Sequence, residues 1–371
     1  MAPRETPFYS VGLAAGAEMQ DLFGYWLPWQ YRPGHEAEHR ATRERASVCD
    51  LDYMAEFKFT GPDALRLAQQ LFTNDFSDLD VGRVRYTAMC NEDGMMVDDG
   101  TVWRLAPDEF LYISGDEADL QWVQAGAESY DVQLSNLTSD WTTLAIQGPA
   151  SRKVVETVLS TDLGALRYYG FTRAQAAGAD CIVARMGYTG ESGFELHFMP
   201  AHGEAIWAAL MDAGADDDIM PCGQAALESL RQEAGYLLVG NDHDKSTNPF
   251  EAGIGRVVRF TKPDFSGRQA LIDVVNRGLT RTIAWFKLES SAVVAKGDSI
   301  RLDGKTVGTV TSGSYSPTLG RGVAMGYVEP SYAIQGATFD VGPDSQTERA
   351  TLSVMPLYDP GDVRTTGRFA R

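Results

Sequence analysis

The chain has 371 residues, 44% hydrophobic and 22% charged, the balance of a soluble globular protein with room for two or three domains. Its 51 acidic residues outweigh 32 basic ones, and a net charge of −19 repels phosphate backbones and argues against a nucleic-acid partner. No apolar run approaches the ~20 residues that cross a bilayer, no signal peptide is evident, and four scattered cysteines form no C-x-x-C pair, so a cytoplasmic protein with reduced, buried thiols is expected.

Taken in chain order, residues 35–47, "HEAEHRATRERAS", read as a polar, solvated helix that starts after Pro33-Gly34 with acids in its first turn. "AEFKFTG" alternates as a strand, "PDALRLAQQLFTN" has helical spacing, and "RVRYTAMCNEDGMMVDDGTVWRLAPDEFLYISG" alternates between turns as three antiparallel strands. "DEADLQWVQAGAESY" is helical again. The same strand–helix–strands–helix order returns over 142–212 in "TTLAIQG", "PASRKVVETVLS", "DCIVARMGYTGESGFELHFMP" and "GEAIWAALMDAG". The pattern predicts α+β architecture: two units at roughly 1–140 and 141–278, each a sheet covered on one side by helices. After "FSGRQALIDVVNRG" helices stop, and short strands divided by Gly, Pro and Asp-Gly turns predict a separate antiparallel β-barrel or sandwich over 279–371.

Several motifs compete for the chemistry. "HEAEH" at 35–39 spells H-E-x-x-H, the zinc-peptidase signature, with His35 and His39 as ligands and Glu36 as base. None of His197, His202 and His243 lies in a zincin-like extension, so a metal-free helix is expected, with no metal in the protein. "GIGRVV" lacks the third glycine of a dinucleotide fingerprint. In "CNEDGMMVDDGTVW" strand alternation sends Asp98 and Asp99 to opposite faces, so one of them at most enters a cavity, or both stand in water. In "GESGFELHF" a hairpin places Phe194, Leu196 and Phe198 on the core stripe and Glu195 with His197 on the other face. A carboxylate there is either solvated or an acceptor for a ligand's paired N–H groups.

Together these stretches resemble the glycine cleavage system T-protein (aminomethyltransferase) family, including folate-dependent demethylases. The resemblance runs from "LPWQY" and "EAEHRATRERASVCDLDYM" through "YTAMCNEDGMMVDDG", "LAIQGP" and "RMGYTGESGFEL". It ends in "LRQEAGYLLVGNDHDKSTNPFEAGIG" and "VGTVTSGSYSPTLGRGVAMGYV". It implies two ferredoxin-like-type α+β units plus the barrel, in a three-domain ring around a folate pocket, and an enzyme that moves one-carbon groups to or from tetrahydrofolate. The family's acidic catalytic residue falls on Asp99 and its pterin anchor on Glu195. Tyr86, Tyr188 and, from "RYYGF", Tyr169 match aromatic positions of the pocket. The family's own Glu-His-Arg set falls on Glu38, His39 and Arg43, with no metal implied.

The chain departs from T-proteins at three places. Leu227 stands where the family has an arginine and Glu228 where it has an aspartate, Arg256 replaces a tryptophan, and Tyr53 a histidine. The missing contact would pass to Arg231 or Arg256, although Arg231, three residues after Glu228, also suits an intrahelical pair. "AALESLRQEAGY" resembles the folate-binding halves of dimethylglycine and sarcosine dehydrogenases. That implies a methyltransferase that demethylates a small N-, S- or O-methyl donor onto tetrahydrofolate. The alternative is a T-protein proper acting on an aminomethyl group borne by a lipoyl carrier protein. A non-catalytic folate-binding iron–sulphur assembly factor is an alternative of another class, against which stands the missing cysteine in "RMGYTGESGFE".

Overall fold

A computed structural model describes residues 2–343, 345–359, 361 and 363–366. The chain folds into two compact units, each built from separated segments: Met1–Met54, Leu137–Ala234 and Tyr358–Arg371 form one, Ala55–Asn136 and Gly235–Leu357 the other. Among the described residues no helix is long and apolar enough to cross a membrane.

In the first unit, strands run side by side in the order Met220–Cys222, Ser47–Asp50, Thr142–Gln147, Gly193–Phe198, Ala179–Arg185 and Gly170–Ala176. Alternation sends Leu144, Ile146, Val183, Phe194, Leu196 and Phe198 to one face, where helices Ser151–Leu159 and Gly203–Ala213 cover them with Val154, Val155, Ile206 and Leu210. Each such side chain contributes roughly 1.5–3 kcal/mol by leaving water.

The opposite face of this sheet is different. Directly opposed residues share a face, so the register places Cys222, Cys49, Ala145, Glu195 and Ala184 in one row across it. Only Glu195 in that row has a long side chain.

At the edge of this unit two carboxylates sit side by side. Asp50 accepts hydrogen bonds from the Thr6 hydroxyl (2.7 Å) and the Asp52 amide (2.9 Å). Burial pushes the Asp50 carboxyl up to about 6 and that of Asp52 to about 8, the Asp50 charge adding to the second. Both folded-state values lie above the ordinary carboxylate range, so the folded protein holds more protons than the unfolded chain between about pH 4 and 8. The stability these groups contribute is complete at low pH and lost as pH rises through that window. Asp52→Asn, which keeps the shape without the charge, is expected to raise the melting temperature by about 2–4 °C at pH 8.5, roughly 1 kcal/mol, and to change it little at pH 4. Calorimetry at the two pH values measures it.

In the second unit the strands run Arg83–Cys90, Met96–Ala106, Glu109–Ser114, Ala55–Thr60 and Gln133–Asn136. Phe57 and Phe59 alternate inward opposite Tyr112 and Phe110, and Leu67, Leu71 and Val123 of helices Ala64–Leu71 and Leu120–Ala127 close the layer. In both units the four strands of the repeated pattern are ordered second, third, fourth, first. The repeat expected from the sequence order is therefore present as topology.

The barrel belongs to the second unit. Thr282–Leu288, Arg321–Val328, Lys305–Ser316, Ser299–Leu302, Thr338–Gly342 and Glu348–Ser353 close on themselves around Phe286, Ile300, Val310, Phe339 and Val341. Phe286 meets Phe339 edge-on with ring centres 5.5 Å apart. The fold class is that read from the sequence: α+β sheets with a closed antiparallel barrel.

Candidate active site

The second unit brings Asp98, Asp99, Tyr86 and His243 together. Asp99 opposes Ala88 on the neighbouring strand, which puts Tyr86 diagonally across on the same face. The Tyr86 hydroxyl donates to Asp99 Oδ2 at 2.5 Å. His243 Nε2 lies 2.6 Å from Asp99 Oδ1 and 3.9 Å from Asp98 Oδ1. Gly100 follows because a Cβ there would lie 2.3 Å from the Ile113 carbonyl oxygen of the next strand.

Alternation separates the two aspartates as expected. Asp99 is half-buried beside Tyr86, while Asp98 is buried, its carboxylate accepting from the Asp99 amide (2.7 Å) and the Gly115 amide (3.1 Å). Neither stands in open water. Burial pushes the Asp98 carboxyl well above the ordinary range, with the charges of Asp119 and Asp99 acting the same way. His243 reaches both aspartates across the strand, a convergence that alternation alone does not foresee.

The barrel positions His243. Asp242 accepts hydrogen bonds from the Thr311 and Ser312 hydroxyls (2.6 and 2.7 Å) and from the Leu238 amide, while the Tyr327 hydroxyl donates to its carbonyl. The three bonds from Thr311, Ser312 and Tyr327 pin residues 238–243 to strands Lys305–Ser316 and Arg321–Val328, and the Leu238 bond closes the segment on itself. His243 was not singled out from the sequence; its signal is the polar run "NDHD" after an apolar "YLLV", which turns out to carry one buried histidine.

Tyr169, Tyr188, Glu195 and Arg231 belong to the first unit. Glu195 is 4% exposed, flanked by Ala145 and Ala184, and its Oε2 has no hydrogen-bond partner. His197, on the same face, is buried, with Nδ1 2.8 Å from the Thr143 hydroxyl and Nε2 3.8 Å from Glu195 Oε2. An under-satisfied carboxylate between two alanines suits a flat ligand with paired N–H donors, which is the edge a reduced pterin presents.

Tyr188 packs, half-buried, on an apolar cluster with Leu227, Leu230, Leu51 and Tyr53. Its loop is held from two sides: Thr189 Oγ1 donates to Gln147 Oε1 (2.9 Å), and Arg43 donates to the Thr189 carbonyl (2.7 Å) and Glu191. Tyr169, half-buried and in the left-handed region at φ 56°, meets Tyr168 edge-on. Arg231 is buried and grips Glu228 through two bonds of 2.6 Å, the intrahelical pair that its spacing allowed. Arg256 is exposed.

Helix His35–Glu44 is not the solvated helix its composition suggests, because Glu38, His39, Ala41, Thr42 and Arg43 are all buried. His39 Nδ1 lies 2.7 Å from the Ser229 hydroxyl and Nε2 3.2 Å from Glu233. Arg43 pairs with Glu233 (2.8 Å) and Glu191 (3.2 Å), and Glu38 accepts from the Tyr31 and Gly223 amides. Paired charges at these positions replace the water that the polar sequence seemed to require. With both ring nitrogens of His39 engaged, the H-E-x-x-H spacing lacks its second histidine as a ligand.

The one constellation with metal-like convergence among the described residues is Asp98, Asp99 and His243. Its shortest contact is a hydrogen bond, and a cation held at the usual ~2.1 Å from each ligand would have to break it.

Residues 8–262 match the GCVT N-terminal domain, and residues 281–359 match the glycine cleavage T-protein C-terminal barrel domain. The aminomethyltransferase of Rubrobacter xylanophilus is 40% identical over 96% of this chain and 94% of its own length. That of Halothermothrix orenii is 38% identical over 91% and 95%. The crystal structure of glycine cleavage system aminomethyltransferase T from Bartonella henselae superposes with a TM-score of 0.89 at 27% identity, covering 95% of this chain and 98% of that one. Fold and relatives thus define a tetrahydrofolate-dependent one-carbon transferase. The chain belongs to the glycine cleavage T-protein (aminomethyltransferase) family.

Proposed function

We propose that the protein transfers the one-carbon unit of an aminomethyl group, carried by a lipoyl carrier protein, to tetrahydrofolate. This is the reading that the sequence analysis kept as its alternative, and it is supported by relatives named aminomethyltransferase at 38–40% identity along nearly the whole chain. Demethylation of a small methyl donor, preferred there, has one observation in its favour: Leu227 and Tyr53 make an apolar wall beside Tyr188 where the family pattern has an arginine and a histidine.

In this reading Asp99 is the catalytic residue. Its carboxylate, held by Tyr86 and His243, retains lone pairs to accept a substrate N–H and to stabilise positive charge developing at the transferred carbon. Glu195 anchors the pterin through its unpaired oxygen, with Tyr188, Tyr169 and Tyr86 as aromatic lining. Arg231, which pairs with Glu228, is kept as a further ligand contact in this reading. The division into 1–278, itself roughly 1–140 and 141–278, and 279–371 is kept as part of the proposal. It is supported by the break between the two family matches at residues 262 and 281. A cytoplasmic location fits four cysteines that are free and buried.

The test supplies tetrahydrofolate with either an aminomethylated lipoyl carrier or a panel of N-, S- and O-methyl compounds. Production of 5,10-methylene-tetrahydrofolate and ammonia from the carrier is expected. Formation of 5-methyl-tetrahydrofolate from a methyl donor alone would transfer the case to the demethylase, and no product from any donor would end both.

A further inference from the structure

Behind Asp99 the second unit carries a line of groups that aminomethyl transfer, as described, leaves unused. Asp119 lines a cleft of about 440 Å³ together with Asp116, Asp244, Lys245 and Ser246. The Asp119 charge acts on the nearby Asp98 carboxyl and favours its protonated form. Asp98 faces His243 Nε2 at 3.9 Å, within reach of a small rotation of its carboxyl, and Nε2 in turn touches Asp99 at 2.6 Å. His243 is 2% exposed and its Nδ1 has no hydrogen-bond partner, so Nε2 is the ring atom through which it exchanges protons.

We propose that Asp119, Asp98 and His243 form a proton path from this cleft to the catalytic carboxylate of Asp99. In the proposed cycle Asp98, whose protonated form burial favours, starts with its proton, His243 carries one on each ring nitrogen, and Asp119 and Asp99 are carboxylates. The Nε2 proton passes to Asp99 Oδ1, leaving neutral His243. The Asp98 proton then fills Nε2. Asp119 takes a proton from solvent in the cleft and passes it to Asp98, restoring the start; the net change is one proton delivered from the cleft to Asp99. Run backwards, the same steps remove one. The protonation order follows from burial, which pushes Asp98 far up and Asp119 to about 6, with the Ser114 and Asp98 bonds pulling Asp119 back. Besides His243 and Asp99, the charged and titratable groups around the path are Asp116 and Lys245 beside Asp119, Tyr112, whose hydroxyl feels all three aspartates, and Tyr86.

The purpose served rests on the proposed aminomethyl transfer, in which the leaving amine departs with a proton. The path itself is testable without turnover. In the full-length protein with labelled histidine, the His243 imidazole titration followed by NMR is expected to shift by at least half a pH unit in Asp119→Asn. In turnover, Asp119→Asn is expected to lower kcat about 10-fold, with the KM for tetrahydrofolate unchanged, and to regain rate with added imidazole or formate. Asp119→Glu, which restores a carboxyl, is expected to keep the wild-type rate. A merely structural Asp119 would give neither buffer rescue nor rescue by glutamate. An unmoved His243 titration, or a kcat that falls without responding to buffer, overturns the path. If wild type turns over no donor, the functional reading fails while the titration still decides the path.

Discussion

Asp99→Asn is expected to lower kcat by about 100- to 1,000-fold, roughly 3–4 kcal/mol of lost transition-state stabilisation, while the dissociation constant for tetrahydrofolate moves less than about threefold. Asparagine keeps the size and one acceptor oxygen, so bonds from Tyr86 (2.5 Å) and His243 (2.6 Å) can largely re-form. What disappears is the negative charge, and charge is what a developing cationic carbon requires. Because the loss falls on the transition state, kcat should drop without a matching rise in KM. Single-turnover kinetics beside calorimetric titration separates the two quantities. A variant with kcat within threefold of wild type would remove Asp99 from the chemistry.

Glu195→Ala is expected to do the reverse. Tetrahydrofolate binding should weaken about 100-fold, because an anionic acceptor for paired N–H donors is worth roughly 1.5–3 kcal/mol per bond. Chemistry on whatever still binds should be little affected. The free protein should gain about 1 kcal/mol of stability, since a buried carboxylate oxygen without a partner has been removed. Opposite movement of affinity and melting temperature distinguishes a ligand anchor from a structural carboxylate, whose loss would lower both. Glu195→Gln, with one acceptor and one donor, should fall between.

Local pattern was legible where one face of an element meets a core. Alternation in "FELHF" correctly separated Phe194, Leu196 and Phe198 from Glu195 and His197, and the repeated strand–helix–strands–helix order foretold two sets of four strands with like order. The same reasoning failed for helix His35–Glu44. Its polar residues meet Glu233, Ser229, Glu191 and Gly223, all more than a hundred residues away, so a polar sequence that should face water is buried instead. His197 misled in the same way: alternation gave its face but not whether that face was covered. His243 was missed because its partners Asp98 and Asp99 lie some 144 residues earlier, and no periodicity links them.

By itself the sequence determined the secondary elements, the α+β class with its barrel, the family, and the two acids on which binding and chemistry are proposed to rest. These follow from short-range spacing and from motifs that are contiguous in the chain. Tertiary structure alone decided which chain segments combine into each compact unit, which polar residues are paired in the interior, and that His243 closes on Asp99. Those outcomes depend on long-range partners that repay the cost of taking charge out of water, and such partners leave no periodic trace in the chain.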